Sequence, residues 1–330
     1  MNEFRWQVAR SVTDAAGAKQ HADNQLIAGG TTQLDLMKCG VLTPSLLTDI
    51  AGLSDLSTLE FGDDKITIGA LVTMSELASH PDCEALAPAL YGSLWQAASP
   101  QIRNMATIGG NLCQRTRCAY YRDPATFSAC NKRTPGSGCA ALHGINASHA
   151  ILGGSEQCVA VYPGDLAVAL TAFDATIIVQ NSHQDTRRIP VDDFFLLPGE
   201  TPQHEHALQP DEIIVAIEIP RSLALKQSHY LKVRDRTSYE FASASAAVGL
   251  TLAQGRIETV HIALGGVATK PWRARHVEHA LTGQRFDEQS LYKAAELITQ
   301  ETRALAHNAY KITLTPRVIA RALLAAGELA

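Results

Sequence analysis

The chain has 330 residues, 46% of them hydrophobic and 18% charged, with a formal net charge of −5. This is a globular composition, long enough for two domains and for a core that needs no staples. The mild acidity favours neither nucleic acid nor an anionic membrane surface. No uncharged apolar run approaches the roughly 20 residues of a membrane span. The first ten residues hold Glu3, Arg5 and Arg10 and no apolar stretch of a secretory signal, so export by a signal of its own is not expected.

In chain order, residues 25–28 make a short apolar approach to the turn Gly29-Gly30-Thr31-Thr32, after which a helix starts at residues 34–38. Residues 46–50 and 65–69 read as strands, and 73–79 and 83–98 as helices, the second broken near Pro88. A second glycine turn follows at Ile108-Gly109-Gly110-Asn111. From Cys113 to Cys158 periodicity disappears, and so long a structureless stretch inside a compact domain needs something other than a hydrogen-bond ladder to order it. Regular structure resumes at Pro163-Gly164-Asp165, with Asp165 as the N-cap of a helix over 166–172 and a strand over 174–180. Ile213, Val215, Ile217 and Ile219 alternate, which predicts a half-buried strand ending near Pro220. A boundary is expected there, dividing the chain into domains at residues 1–223 and 224–330. The second domain reads as a strand over 242–253, a hairpin at Gln254-Gly255, a strand over 259–264, and helices over about 274–281, 288–304 and 318–326, the last stopped by Gly327. The pattern is α+β.

Three features carry chemistry. The segment Ile27-Ala28-Gly29-Gly30-Thr31-Thr32-Gln33-Leu34 offers successive backbone N–H groups at a turn that opens a helix, which suits a pyrophosphate. It is neither a Walker loop nor the G-x-G-x-x-G fingerprint. The second turn, with Thr107, Gly109, Gly110 and Asn111, is similar, and either alone is equally a plain tight turn. The third feature is the cysteines, seven in all, of which five fall between Cys113 and Cys158. Clustering of this kind points to metal or redox chemistry before disulfides. Cys118, Cys130, Cys139 and Cys158 are spaced C-x11-C-x8-C-x18-C, and four thiolates can hold a [4Fe–4S] cluster. A structural zinc site and a disulfide framework stay open as alternatives, the former without the close cysteine pairs usual for zinc. Cys113, a competing ligand five residues before Cys118, is read with Cys39 and Cys83 as a buried structural thiol. His143 and His149 are left as surface or core histidines, and Arg115, Arg117, Arg122, Lys132 and Arg133 mostly as a solvated basic surface.

The motifs IAGGTTQLDLMK and RNMATIGGNLCQR resemble those of the flavin-binding subunit of the xanthine dehydrogenase family of molybdenum hydroxylases, and YLKVRDRTSYEFASASAAVGL is similar to the start of that family's C-terminal flavoprotein domain. RTRCAYYRDP and CNKRTPGSGCAALHG make the likeness strongest to the flavin subunit of bacterial aldehyde oxidoreductases. The resemblance spans nearly the whole chain. It implies a vanillyl-alcohol-oxidase (PCMH-type) FAD-binding domain of two subdomains, with a cluster-bearing insertion at about 113–158, followed by a small CO-dehydrogenase-flavoprotein-like domain. By this resemblance Ile27 to Leu34, Thr107, Gly109, Gly110, Asn111, Gln114, Asp165 and Lys232 contact FAD, and Ile214 lies beside the ring. Gly164 stands where the family has serine before this aspartate. The same resemblance implies a [4Fe–4S] cluster on Cys118, Cys130, Cys139 and Cys158, as in the aldehyde oxidoreductase and 4-hydroxybenzoyl-CoA reductase flavin subunits. The implied partners are a large subunit with the molybdenum cofactor, where substrate is oxidised, and a small subunit with two [2Fe–2S] clusters. The implied function is electron transfer from those clusters through FAD to an external acceptor, with no general acid or base on this chain. The compartment is cytoplasmic, or periplasmic by co-export with a partner that carries a twin-arginine signal. A zinc-stapled scaffold without flavin and a stand-alone flavin oxidase are the alternatives of other classes.

Overall fold

The computed structural model describes residues 1–329. Its strands form three sheets. The first joins β1 (Arg5–Val8), β2 (Asn24–Ile27) and β3 (Leu46–Asp49) in the order β1-β3-β2, all parallel. The second is antiparallel in the order β4-β5-β8-β6-β7, from β4 (Leu59–Phe61), β5 (Lys65–Gly69), β6 (Thr176–Gln180), β7 (Thr186–Pro190) and β8 (Ile213–Pro220). The third, β12-β11-β10-β9, holds β9 (Ser228–Val233), β10 (Ala244–Ala253), β11 (Arg256–Gly265) and β12 (Trp272–Arg273).

The expected strands are present within three residues of their ends, β11 starting at Arg256 and not at 259, because each carries its own alternation or β-branched run. The hairpin between β10 and β11 turns on Gln254 and Gly255, both at positive φ (52° and 72°), as a two-residue loop that matches strand twist requires. Two elements give no such signal. β1 is exposed along its length and the helix Val12–Lys19 is nearly without a polar and an apolar side; β1 forms by pairing with β3, and the helix by packing on β2 and the start of β8.

The helix Leu166–Ala172 is buried on every side, packed between Pro88–Trp95 and the β10–β11 face. It makes one core out of the five-stranded sheet and the third sheet. A second cluster lies on the other face of the third sheet, under Tyr310–Gly327. That helix begins eight residues before the expected start at 318 and runs through Pro316. Gly327 does not stop it; it is the last helical residue, and a Cβ there would overlap the Phe286 ring. Among the described residues, no helix is long and apolar enough to cross a membrane.

The stretch from Cys113 to Cys158 holds only the turns Ala119–Arg122 and Ala140–Leu142 and two isolated bridges, Cys130 to Cys139 and Leu152 to Ala268. Side chains order it. Arg117 and Arg122 both pair with Asp35, Lys132 and Arg115 with Glu205, and Arg133 donates to the carbonyls of Tyr120, Tyr121 and Phe127. The basic residues expected as a solvated surface are therefore internal ties, because a guanidinium can satisfy several carbonyls that no ladder reaches.

Candidate cofactor and cysteine sites

β2 delivers the first glycine turn onto the second. A Cβ on Gly29 would overlap the Met105 carbonyl, so only glycine allows this contact, and Gly30 takes φ 71°. The second turn is tied down by Ile108 N–H to Val72 O (2.8 Å) and Gly109 N–H to Ala70 O (2.8 Å). It is not an open turn but the helix Ile108–Leu112, with the Thr107 hydroxyl accepting from Gly110 N–H at 3.3 Å. Among the described residues, the N–H groups of Thr31, Thr32 and Gln33 have no backbone acceptor. The Gln33 Nε2 and Asn111 Oδ1 atoms are buried without partners.

A cavity lies on each side of these turns. One, of about 390 Å³, is lined by Thr31, Thr32, Asn111, Gln114, Asp165 and Lys232. The other, of about 440 Å³, is lined by Thr32, Gln33, Thr107, Gly109, Gly110 and Ile214. Both lie in the range of small-molecule sites. Thr32, which ends the first glycine turn, lines both and forms the neck between the two chambers. Ile214 and Lys232, both expected near one ring, line different chambers. Ile27 is a buried core residue packed with Met37 and Leu47, and it supports the turn from beneath.

The wall of the first chamber joins the two halves of the chain. Asp165 Oδ2 accepts from Lys232 Nζ at 2.8 Å and Asp165 Oδ1 from the Tyr230 hydroxyl at 2.6 Å. Asp165 stands at the helix start but takes a helical conformation (φ −77°, ψ −45°) and makes no capping bond, which corrects the N-cap expectation. The buried helix brings the carboxylate to β9, where two partners claim both oxygens. Burial pushes the Asp165 carboxyl up, against the downward pull of the Lys232 ammonium and the Tyr230 hydroxyl. Tyr230 was not anticipated, although the period of two in β9 puts it on the face of Lys232. At Gly164 a Cβ would meet the Tyr162 ring and Gln114 Nε2, so these side chains fill the space of the family's serine.

Cys118, Cys130, Cys139 and Cys158 line one small cavity. Cys113 is not among them; it packs against the main core, and burial raises its thiol to about 11. Burial likewise pushes Cys118 to about 12 and raises Cys139 and Cys158. His149, buried, places Nε2 3.2 Å from Cys118 Sγ. Burial, then the nearby Lys311, lowers this imidazole to about 4, which keeps it neutral. Among the described residues, no three His, Cys, Asp or Glu side chains close around the position of a single metal ion.

Residues 2–222 match the family model described as the FAD binding domain in molybdopterin dehydrogenase, and 229–326 match the CO dehydrogenase flavoprotein C-terminal domain. The chain belongs to this family of FAD-binding subunits. It is 41% identical over 326 residues to the aldehyde oxidoreductase FAD-binding subunit PaoB of Escherichia coli (strain K12), covering 98% of each chain. It is 26% identical to the glyceraldehyde dehydrogenase medium chain of Sulfolobus acidocaldarius, covering 91% of this chain and 88% of that one. A chain of the carbon monoxide dehydrogenase of Hydrogenophaga pseudoflava has the same fold, with a TM-score of 0.76, 24% identity and coverage of 99% of this chain and 98% of that one. Both the family and the fold expected from the motifs are therefore borne out, and the relatives in this family are subunits of oxidoreductases.

Proposed function

We propose that this chain is the FAD- and [4Fe–4S]-carrying electron-transfer subunit of a molybdenum hydroxylase that oxidises aldehydes. In this reading a large subunit with the molybdenum cofactor oxidises the substrate, and a small [2Fe–2S] subunit passes electrons here for delivery to an external acceptor. The aldehyde class rests on the 41% identical relative named as an aldehyde oxidoreductase subunit.

The observation that carries the flavin part is the pair of chambers that meet at Thr32 of the first glycine turn. A dinucleotide has that shape, with two ring systems linked by a pyrophosphate. The amides of Thr31, Thr32 and Gln33, which have no backbone acceptor among the described residues, belong to the turn where the link would sit and an anion is favoured. Lys232, Asp165 and Gln114 then hold the ring in the first chamber, and Ile214 flanks the adenine in the second. Bound FAD supplies the exchange between one-electron donors and a two-electron acceptor; the protein binds it, orients it and shields it from water. The division near residues 223 and 224 belongs to the same reading, since β9 brings Lys232 from the second domain to close the chamber.

The cluster part rests on four thiols that line one cavity, without the close cysteine pairs in sequence that are usual for zinc. A [4Fe–4S] cluster keeps its cysteine sulfurs further apart and would order a stretch with little regular structure.

The test is to purify the complex anaerobically, separate this chain and analyse flavin and metal. One FAD and about four irons are expected on it, with the iron lost and the FAD kept in Cys130→Ser. FAD with zinc, or with no metal, removes the cluster and keeps the flavin assignment. Metal without flavin leaves a scaffold and overturns the proposal.

A further inference from the structure

We propose that His149 is a positioning residue of the four-cysteine site, donating a hydrogen bond from Nε2 to the Cys118 sulfur and thereby raising the reduction potential of the cluster held there. The inference rests on the cluster reading above.

The imidazole is fixed from several directions. Its backbone N–H bonds Asn146 O at 3.0 Å, and its carbonyl accepts from Asn308 Nδ2 at 3.2 Å. The ring packs beside Tyr120 and is 4% exposed. Nε2 lies 3.2 Å from Cys118 Sγ, and Nδ1 is buried with no partner. A cysteine sulfur bound to iron has lost its proton and can only accept. To bond that sulfur, Nε2 must carry a hydrogen, whichever state Nδ1 is in.

A second observation points the same way. Lys311 is 1% exposed, and its ammonium donates only to carbonyls, Gly266 O at 2.6 Å and Ser148 O at 3.1 Å. Among the described residues it has no carboxylate within ion-pair distance, unlike Lys132, which has Glu205. A buried cation without an anion is costly. Lys311, His149 and Cys118 line one chamber of about 340 Å³ together with Asp165, Asp235 and Glu240, none of which pairs with this ammonium, so a negative cluster beyond the imidazole adds a compensating charge. Adding one electron to the cluster adds one negative charge and moves no proton. A hydrogen bond to a ligand sulfur, backed by a buried cation, stabilises that charge and favours the reduced form.

The test is an EPR-monitored redox titration of the whole purified complex, with iron analysis of this chain. His149→Leu is expected to keep its iron and to disfavour reduction about tenfold, a fall of about 59 mV for a one-electron couple. His149→Gln, which returns an amide N–H to the same reach, is expected to recover most of the shift. Retained iron with an unchanged potential in His149→Leu overturns the inference. Loss of iron in both variants also overturns it, because His149 then supports the site itself. A wild-type chain without iron removes the cluster reading and this inference together.

Discussion

A methyl group on Gly29 would overlap the Met105 carbonyl, which is backbone and cannot rotate away. Gly29→Ala is therefore expected to push the two turns apart, to destabilise the chain by about 3 kcal/mol and to abolish FAD retention. The ratio of flavin to protein and a thermal melt both report this. At His206 the expected effect is on pH dependence. Burial, then Arg115, lowers this partly exposed imidazole from about 6.5 to about 3, so it is neutral in the native chain. The unfolded chain binds a proton below about 6.5 while the folded one refuses it until about 3, so stability falls as pH falls through that window. The loss is at most about 1.4 kcal/mol per pH unit. His206→Phe, beside the Phe194 and Phe195 rings, is expected to flatten that acid slope in chemical unfolding measured across the window. A variant with the unchanged slope would show that other groups set it.

Helix ends and strand alternation were readable because their causes lie within a few residues. Thr73 and Glu76 form a complete capping box for Met74–Ser79, whose Met74 lines the first chamber and whose N–H bonds Ala106 O at 2.9 Å. Thr73→Ala is expected to cost about 1 kcal/mol and to weaken FAD binding, and a melt with and without added FAD measures both. Elements whose stability comes from elsewhere in the chain were not readable. The helix Tyr310–Gly327 runs through Pro316 against the local cost of about 3 kcal/mol, because nine of its residues are buried against the third sheet and its neighbours. β1 has no inward face of its own and exists as the neighbour of β3.

Asp165 and Lys232 hold the FAD-binding half of the chain to the third sheet through a pair almost wholly out of solvent. Removing one partner leaves the other charge buried alone, so Lys232→Met is expected to cost about 3–5 kcal/mol. Adding Asp165→Asn to it is expected to cost less than the sum of the two single changes. A double-mutant cycle by chemical unfolding measures the coupling, and additive effects would mean that the two halves are held by apolar packing alone. Ligand linkage acts on the same junction. Free FAD at about 100 times its Kd is expected to add about 2.7 kcal/mol, seen as a rise in Tm that Lys232→Met diminishes.

The amino-acid sequence alone contained the α+β pattern, the two glycine turns, the cysteine quartet and the motifs that mark the family, since each is written in neighbouring residues or in spacing along the chain. Tertiary structure decided what those residues face. It turned Asp165 from a helix cap into the partner of Lys232, 67 residues away. It made ties of Arg117 and Arg122 through Asp35, and it set His149 against Cys118. It also separated Ile214 from Lys232 across the neck at Thr32. Burial, counter-charge and the direction of a chamber are properties of groups far apart in the chain, and they come into being only when the core brings those groups together.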